Sequence, residues 1–125
     1  MQFIDLKHQY SIIKPDIDLA ITKVLNHGQY IHGPEVFDLE TKLAAYTGRK
    51  HCVSCASGTD ALLMSLLAQG IGQGDAVFTT PFTFIATAEV IQLLGATPIF
   101  VDILDSTFNI DQTKLEIALS ECQSR

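Results

Sequence analysis

At 125 residues, with 47% hydrophobic and 18% charged side chains, the chain carries enough apolar material for one folded, compact domain. Its longest apolar stretches, such as Ala61 to Ala68, fall far short of the roughly 20 residues of a membrane span, and no basic-then-apolar leader precedes the first predicted helix, so a soluble, cytoplasmic protein is expected. A formal charge of −6 without a Lys/Arg cluster argues against nucleic acid as partner, and three cysteines, with Cys52 and Cys55 inside an apolar run, argue against a disulfide framework.

Pro15 opens a segment in which Ile17, Ala20, Ile21, Val24 and Leu25 recur at helical spacing, and Gly28 follows where a left-handed cap is wanted. This predicts a helix from Pro15 to His27. After a connector from Gln29 to His32, Gly33-Pro34 starts a second helix with Val36, Leu39, Leu43 and Ala44 on one stripe, ending near Gly48. From Lys50 the rhythm changes. Strand-like runs at His51 to Ala56, Ala76 to Thr80 and Pro98 to Ile103 alternate with helical ones at Thr59 to Gln69 and Thr83 to Leu94. That order predicts a parallel βαβαβ core preceded by two helices, an α/β fold, followed by a last helix capped by Asp111. The predicted division is a helical segment over residues 1–49 and an α/β domain over residues 50–125. Because the chain stops at Arg125 directly after a helix, that domain is expected to be incomplete.

The segment Ser57-Gly58-Thr59-Asp60-Ala61-Leu62 passes from a strand end through small residues into a strongly apolar helix. Such a start exposes backbone N–H groups, and the helix dipole favours an anion there, so a phosphate monoester fits. The same residues also fit a plain cap by Ser57 or Thr59, with Gly58 allowing the turn. Neither G-x-G-x-x-G nor G-x-x-x-x-G-K-[ST] is present, which removes the dinucleotide and nucleoside-triphosphate fingerprints. By position alone, Phe84 reads as a core aromatic at a helix start, and Tyr30 as a loop tyrosine. Cys52 and Cys55 have redox-motif spacing, but residues three apart on a strand face opposite ways. His51 with these cysteines makes a poor zinc set, so no metal is expected. Asp102, Asp105 and Asp111 read as a solvated loop.

Taken in order, Phe3-Ile4-Asp5-Leu6-Lys7, His27-Gly28-Gln29-Tyr30-Ile31-His32-Gly33-Pro34-Glu35-Val36, Ser57-Gly58-Thr59-Asp60-Ala61-Leu62, Pro81-Phe82-Thr83-Phe84-Ile85-Ala86-Thr87-Ala88-Glu89 and Val101-Asp102-Ile103 resemble the DegT/StrS family of pyridoxal-phosphate (PLP) nucleotide-sugar aminotransferases. Within it the chain looks most like enzymes that aminate a 3-keto UDP-sugar acid on the way to O-antigen sugars. The resemblance implies part of a fold-type I PLP-transferase large domain, in a homodimer with active sites at the interface. It also implies that Gly58 and Thr59 hold the PLP phosphate, that Phe84 stacks on the pyridine ring, and that Gly28 and Tyr30 lie near the substrate.

The implied reaction moves an amino group, with glutamate as expected donor, to a keto carbon of a nucleotide-linked sugar for surface polysaccharide synthesis. No catalytic residue falls on this chain, because the Schiff-base lysine and the carboxylate facing the pyridine nitrogen are expected beyond Arg125. The chain alone is therefore expected to be inactive. Three other readings stay open: a PLP-dependent sugar dehydratase of the same family, a regulatory protein, and a noncatalytic flavodoxin-like binding module.

Overall fold

The computed structural model describes residues 3–123, in two compact units that divide between Ser54 and Cys55. In the first unit, helix α1 runs Leu6–His27 and helix α2 runs Pro34–Thr47. α1 starts well before Pro15, where the sequence placed it. Its start is set by Asp5, whose carboxylate accepts the His8 N–H at 2.9 Å. Pro15 lies inside the helix, where its ring keeps a helical φ and only the donor for the Ser11 carbonyl is lost. Ser11 is exposed, so water can take that carbonyl, and the Lys14–Asp18 ion pair spans the same turn.

Both predicted cap glycines end their helices. Gly28 has φ 69° and donates its N–H to the Val24 carbonyl, while Gly48 closes α2. Gly33 is required for a different reason. A Cβ there would lie 2.3 Å from the Gln29 carbonyl oxygen, so the connector can fold tightly into α2 only through glycine.

The predicted strand over residues 51–56 is not formed. A strand exists only within a ladder, and the two strands of the second unit pair with each other. The segment is held instead from its side. The Glu40 carboxylate accepts both the Ser54 N–H and the Ser54 hydroxyl, each at 2.8 Å.

The second unit contains α3 (Gly58–Ala68), β1 (Ala76–Thr79), α4 (Ala86–Leu93), β2 (Thr97–Phe100) and α5 (Gln112–Gln123). Strands β1 and β2 are parallel, with Ala76 opposite Thr97 and Thr79 opposite Phe100. The sheet is thus βαβ rather than βαβαβ, a partial α/β fold. Its core is Val90, Ile91 and Ala96, with Leu63 and Leu66 of α3 and Val77 of β1 packed against them. α4 therefore lies between α3 and the sheet in the packing, which explains why Ala86, Ala88, Val90 and Ile91 are its buried residues. α4 begins at Ala86, later than the Thr83 start predicted. The preceding residues form a loop whose carbonyls at Phe84 and Ile85 accept the first N–H groups of the helix. No helix among the described residues is long and apolar enough to cross a membrane.

Two hydrogen bonds from Ser54, its backbone N–H first and its hydroxyl second, hold the Glu40 carboxyl below the usual carboxylate range. A lowered carboxyl stabilises its anchor above that range and loses the effect as pH falls through the lowered value. Amide exchange at Ser54, corrected for its intrinsic rate, should therefore lose protection as pH falls from the usual carboxylate range, about 4.3, through the lowered value. In Glu40→Gln the protection should be weaker and should not change over that interval. Equal protection across the interval in the unaltered chain would contradict the anchor.

Candidate functional site

The start of α3 is built by Ser57, whose extended backbone (φ −158°, ψ 168°) turns the chain into the helix. Its hydroxyl accepts the Asp60 N–H and lies 3.1 Å from an Asp60 carboxylate oxygen, to which it donates. The Ser57 carbonyl accepts the Ala61 N–H at 3.0 Å. Ser57 is therefore the cap, and of the two capping residues the sequence allowed, Thr59 is not used. Among the described residues the N–H groups of Gly58 and Thr59 and the Thr59 hydroxyl have no partner. Nothing lies within 4 Å of the position a Cβ on Gly58 would take.

The electrostatics are less one-sided than the sequence suggested. The Asp60 carboxylate already sits at the positive end of the α3 dipole and would repel a second anion. Among the described residues of this unit, Lys114 is the only lysine or arginine, and it is paired with Asp102 at 3.0 Å. An anion at α3 therefore meets neutral donors from this unit and no free cation.

Phe84 lies in the loop between β1 and α4, beyond the carboxyl end of β1, where open α/β sheets bind ligands. It is 76% exposed, so it is not the core aromatic that its position alone suggested. Its neighbour Phe82 stacks on Phe108, with centroids 5.5 Å apart and planes at 26°. Phe108 comes from the loop after β2, so the loops following both parallel strands meet through these rings.

The acids read as a solvated loop are more ordered than that. Asp102 binds Lys114, accepts the Ile103 N–H at 2.8 Å, and through its carbonyl accepts the Asp111 N–H at 2.9 Å. The Lys114 ammonium first, and the Ile103 N–H second, hold the Asp102 carboxyl below its usual range. Asp111 caps α5 as predicted, its side chain accepting the Thr113 N–H at 2.9 Å.

Gly28 and Tyr30 belong to the first unit. Gly28 is the left-handed residue that ends α1, and Tyr30 is 65% exposed. Sequence reasoning missed what shapes their connector. The Gln29 N–H donates to His27 Nδ1 at 3.0 Å, so that nitrogen is the unprotonated one, and Nε2 faces a Glu35 oxygen at 3.1 Å. Lys23 pairs with the other Glu35 oxygen at 3.0 Å. The Lys23 ammonium is the main cause holding the Glu35 carboxyl below its usual range. The visible signal was an acid in the first turn after a proline at the helix start.

The family described as DegT/DnrJ/EryC1/StrS aminotransferase matches residues 11–124. A UDP-2-acetamido-2-deoxy-3-oxo-D-glucuronate aminotransferase of Pseudomonas aeruginosa is 53% identical over 120 residues, covering 96% of this chain and 33% of that protein. The crystal structure of a DegT/DnrJ/EryC1/StrS aminotransferase from Brucella abortus matches with a TM-score of 0.93 and 48% identity, over 99% of this chain and 33% of that one. NtdA from Bacillus subtilis, solved with bound cofactor PMP, matches with a TM-score of 0.80 and 38% identity, over 83% of this chain and 24% of that one. The chain thus spans about a third of the length of the curated relative. On its sequence and its fold, the chain belongs to the DegT/DnrJ/EryC1/StrS aminotransferase family.

Proposed function

We propose that the chain is the amino-terminal part of a PLP-dependent aminotransferase that places an amino group on a keto sugar linked to a nucleotide. The observation that carries this reading is the α3 start, where two amides and a hydroxyl remain without partners after Ser57 has capped the helix. The family membership and the relative acting on an oxo-sugar nucleotide support the substrate class. The PMP held by NtdA supports the cofactor.

The residues present fit a phosphate monoester. Each hydrogen bond to a charged oxygen is worth about 1.5–3 kcal/mol and the helix terminus adds about 0.3–1 kcal/mol. Gly58 and Thr59 would hold the phosphate, and Phe84 would lie on the pyridine ring. Gly28 and Tyr30 would meet the substrate. When bound, PLP supplies the electron sink for moving the amino group, while this chain's residues bind and orient. Lys14, Lys23, Lys42 and Lys114 are each engaged by a carboxylate, of Asp18, Glu35, Asp38 and Asp102. On the resemblance of the motifs, which place no reactive role on Lys7 or Lys50 either, the reactive lysine is assigned to sequence beyond Arg125, and the chain alone to an inactive state. Residues 1–49 are the helical segment and residues 50–125 the incomplete PLP-binding domain of this reading. Glutamate as donor, a cytoplasmic homodimer and a role in O-antigen synthesis complete it, on the resemblance of the motifs.

Thr59→Val in the complete protein keeps the side-chain volume and the helix but removes one hydroxyl donor. Cofactor retention, measured as the PLP dissociation constant, should weaken about 10- to 100-fold. An unchanged constant would remove Thr59 from the phosphate site.

Tyr30→Phe tests the substrate side. The KM for the sugar nucleotide should rise about fivefold, the equivalent of one neutral hydrogen bond, with PLP binding untouched. Steady-state kinetics identical to the unaltered enzyme would place Tyr30 outside the site.

A further inference from the structure

We infer that Phe108 is a positioning residue, which holds the loop carrying Phe84 by stacking on Phe82. The inference deepens the reading of Phe84 above and rests on it for its link to the cofactor. It starts from an outlier: Phe108 has φ 57°, a left-handed conformation that glycine or asparagine adopts far more readily than a bulky aromatic. A ring at such a position is retained against its backbone preference, and strain of this kind persists only where the surroundings fix it.

The surroundings do fix it. The Phe108 N–H donates to the Leu104 carbonyl at 2.8 Å, the Leu104 N–H donates to the Asn109 carbonyl at 2.9 Å, and Ile103 and Ile110 form an antiparallel bridge. The Asp102–Lys114 pair and the Asp111 N–H bond to the Asp102 carbonyl fasten the base of this loop to α5. Phe108 is thus presented from a braced turn.

The loop it meets is braced far less. Among the described residues, Phe82 and Thr83 take no part in main-chain to main-chain hydrogen bonds. Local bonds join the Phe82 N–H to the Thr80 hydroxyl at 3.1 Å and the hydroxyls of Thr83 and Thr87 at 3.0 Å. The ring contact that reaches another element is Phe82 on Phe108. Phe84 follows two residues later, exposed, with no ring contact of its own among the described residues. Its carbonyl is tied to the start of α4 through the Thr87 N–H at 3.1 Å, and the stack holds the part of the loop that precedes it.

The test compares Phe108→Gly, which removes the ring while suiting the backbone, with Phe108→Tyr, which keeps the ring. Hydrogen exchange is followed over residues 80–85 in the complete protein without cofactor, and PLP dissociation is measured separately. Within residues 80–85, Phe108→Gly should speed exchange of the Phe82 amide, which the Thr80 hydroxyl holds, about three- to tenfold and weaken PLP retention by a similar factor, as expected for one lost aromatic pair. Exchange in α3 and β2 should stay unchanged, and Phe108→Tyr should behave as the unaltered protein. Unchanged exchange over residues 80–85 in Phe108→Gly, or an equal increase in Phe108→Tyr, overturns the proposal. So does faster exchange with unchanged PLP retention, provided that Phe84→Leu does weaken retention. If Phe84→Leu leaves PLP retention intact, the reading of Phe84 itself fails, while the exchange comparison still decides whether Phe108 holds the loop.

Discussion

The first turn of an α-helix has more N–H groups than the helix can bond, and the rest of this protein's proposed chemistry depends on how α3 resolves that surplus. Ser57 takes the Asp60 N–H and donates back to the Asp60 carboxylate, a reciprocal arrangement that fixes where the helix begins. The amides of Gly58 and Thr59 are left pointing from that fixed start. Had Thr59 been the cap, its hydroxyl would have been consumed. The choice of Ser57 therefore separates the stabilising residue from those proposed to bind, so that substitution at Thr59 can test a ligand without dissolving the helix.

Charge sets the second constraint. A phosphate at α3 would carry up to two negative charges beside the Asp60 carboxylate, and this unit offers no free lysine or arginine among its described residues. Neutral donors alone can orient a phosphate, but neutralising it calls for a cation from outside this unit. The surface points the same way. Leu62, Met64 and Leu67 of α3 and Phe100 of β2 are 42–54% exposed, and relatives of the family are about three times as long as this chain. Burying such surface is worth roughly 25 cal/mol per Å², so these faces suit packing against further protein more than contact with water.

Helix ends were legible in the sequence wherever glycine carried them. Gly28 and Gly48 have the left-handed φ values that the pattern requires, and Asp111 caps α5 as read. Pro15 misled because a proline suits a first turn, yet the stronger signal was Asp5, whose carboxylate starts α1. The strand over residues 51–56 was misread because an apolar run reports a tendency to extend, whereas a strand also needs a neighbour to bond. The phosphate-type turn was legible as a turn, but which residue caps it was not, since Ser57 and Thr59 are chemically alike. What sequence could not show were the contacts across loops: Phe82 on Phe108, Asp102 on Lys114, and Glu40 on Ser54 join residues with no periodic relation.

The central claim is that the free amides at the start of α3 receive the phosphate of the cofactor. Amide resonances of Gly58 and Thr59 in the complete protein, observed during titration with PLP and in parallel with pyridoxal, which lacks the phosphate, test it most directly. The account predicts that PLP moves both resonances downfield in a saturable manner and that pyridoxal leaves them in place. Saturable PLP binding that leaves the Gly58 and Thr59 amides unshifted, or shifts them equally with pyridoxal, would contradict it.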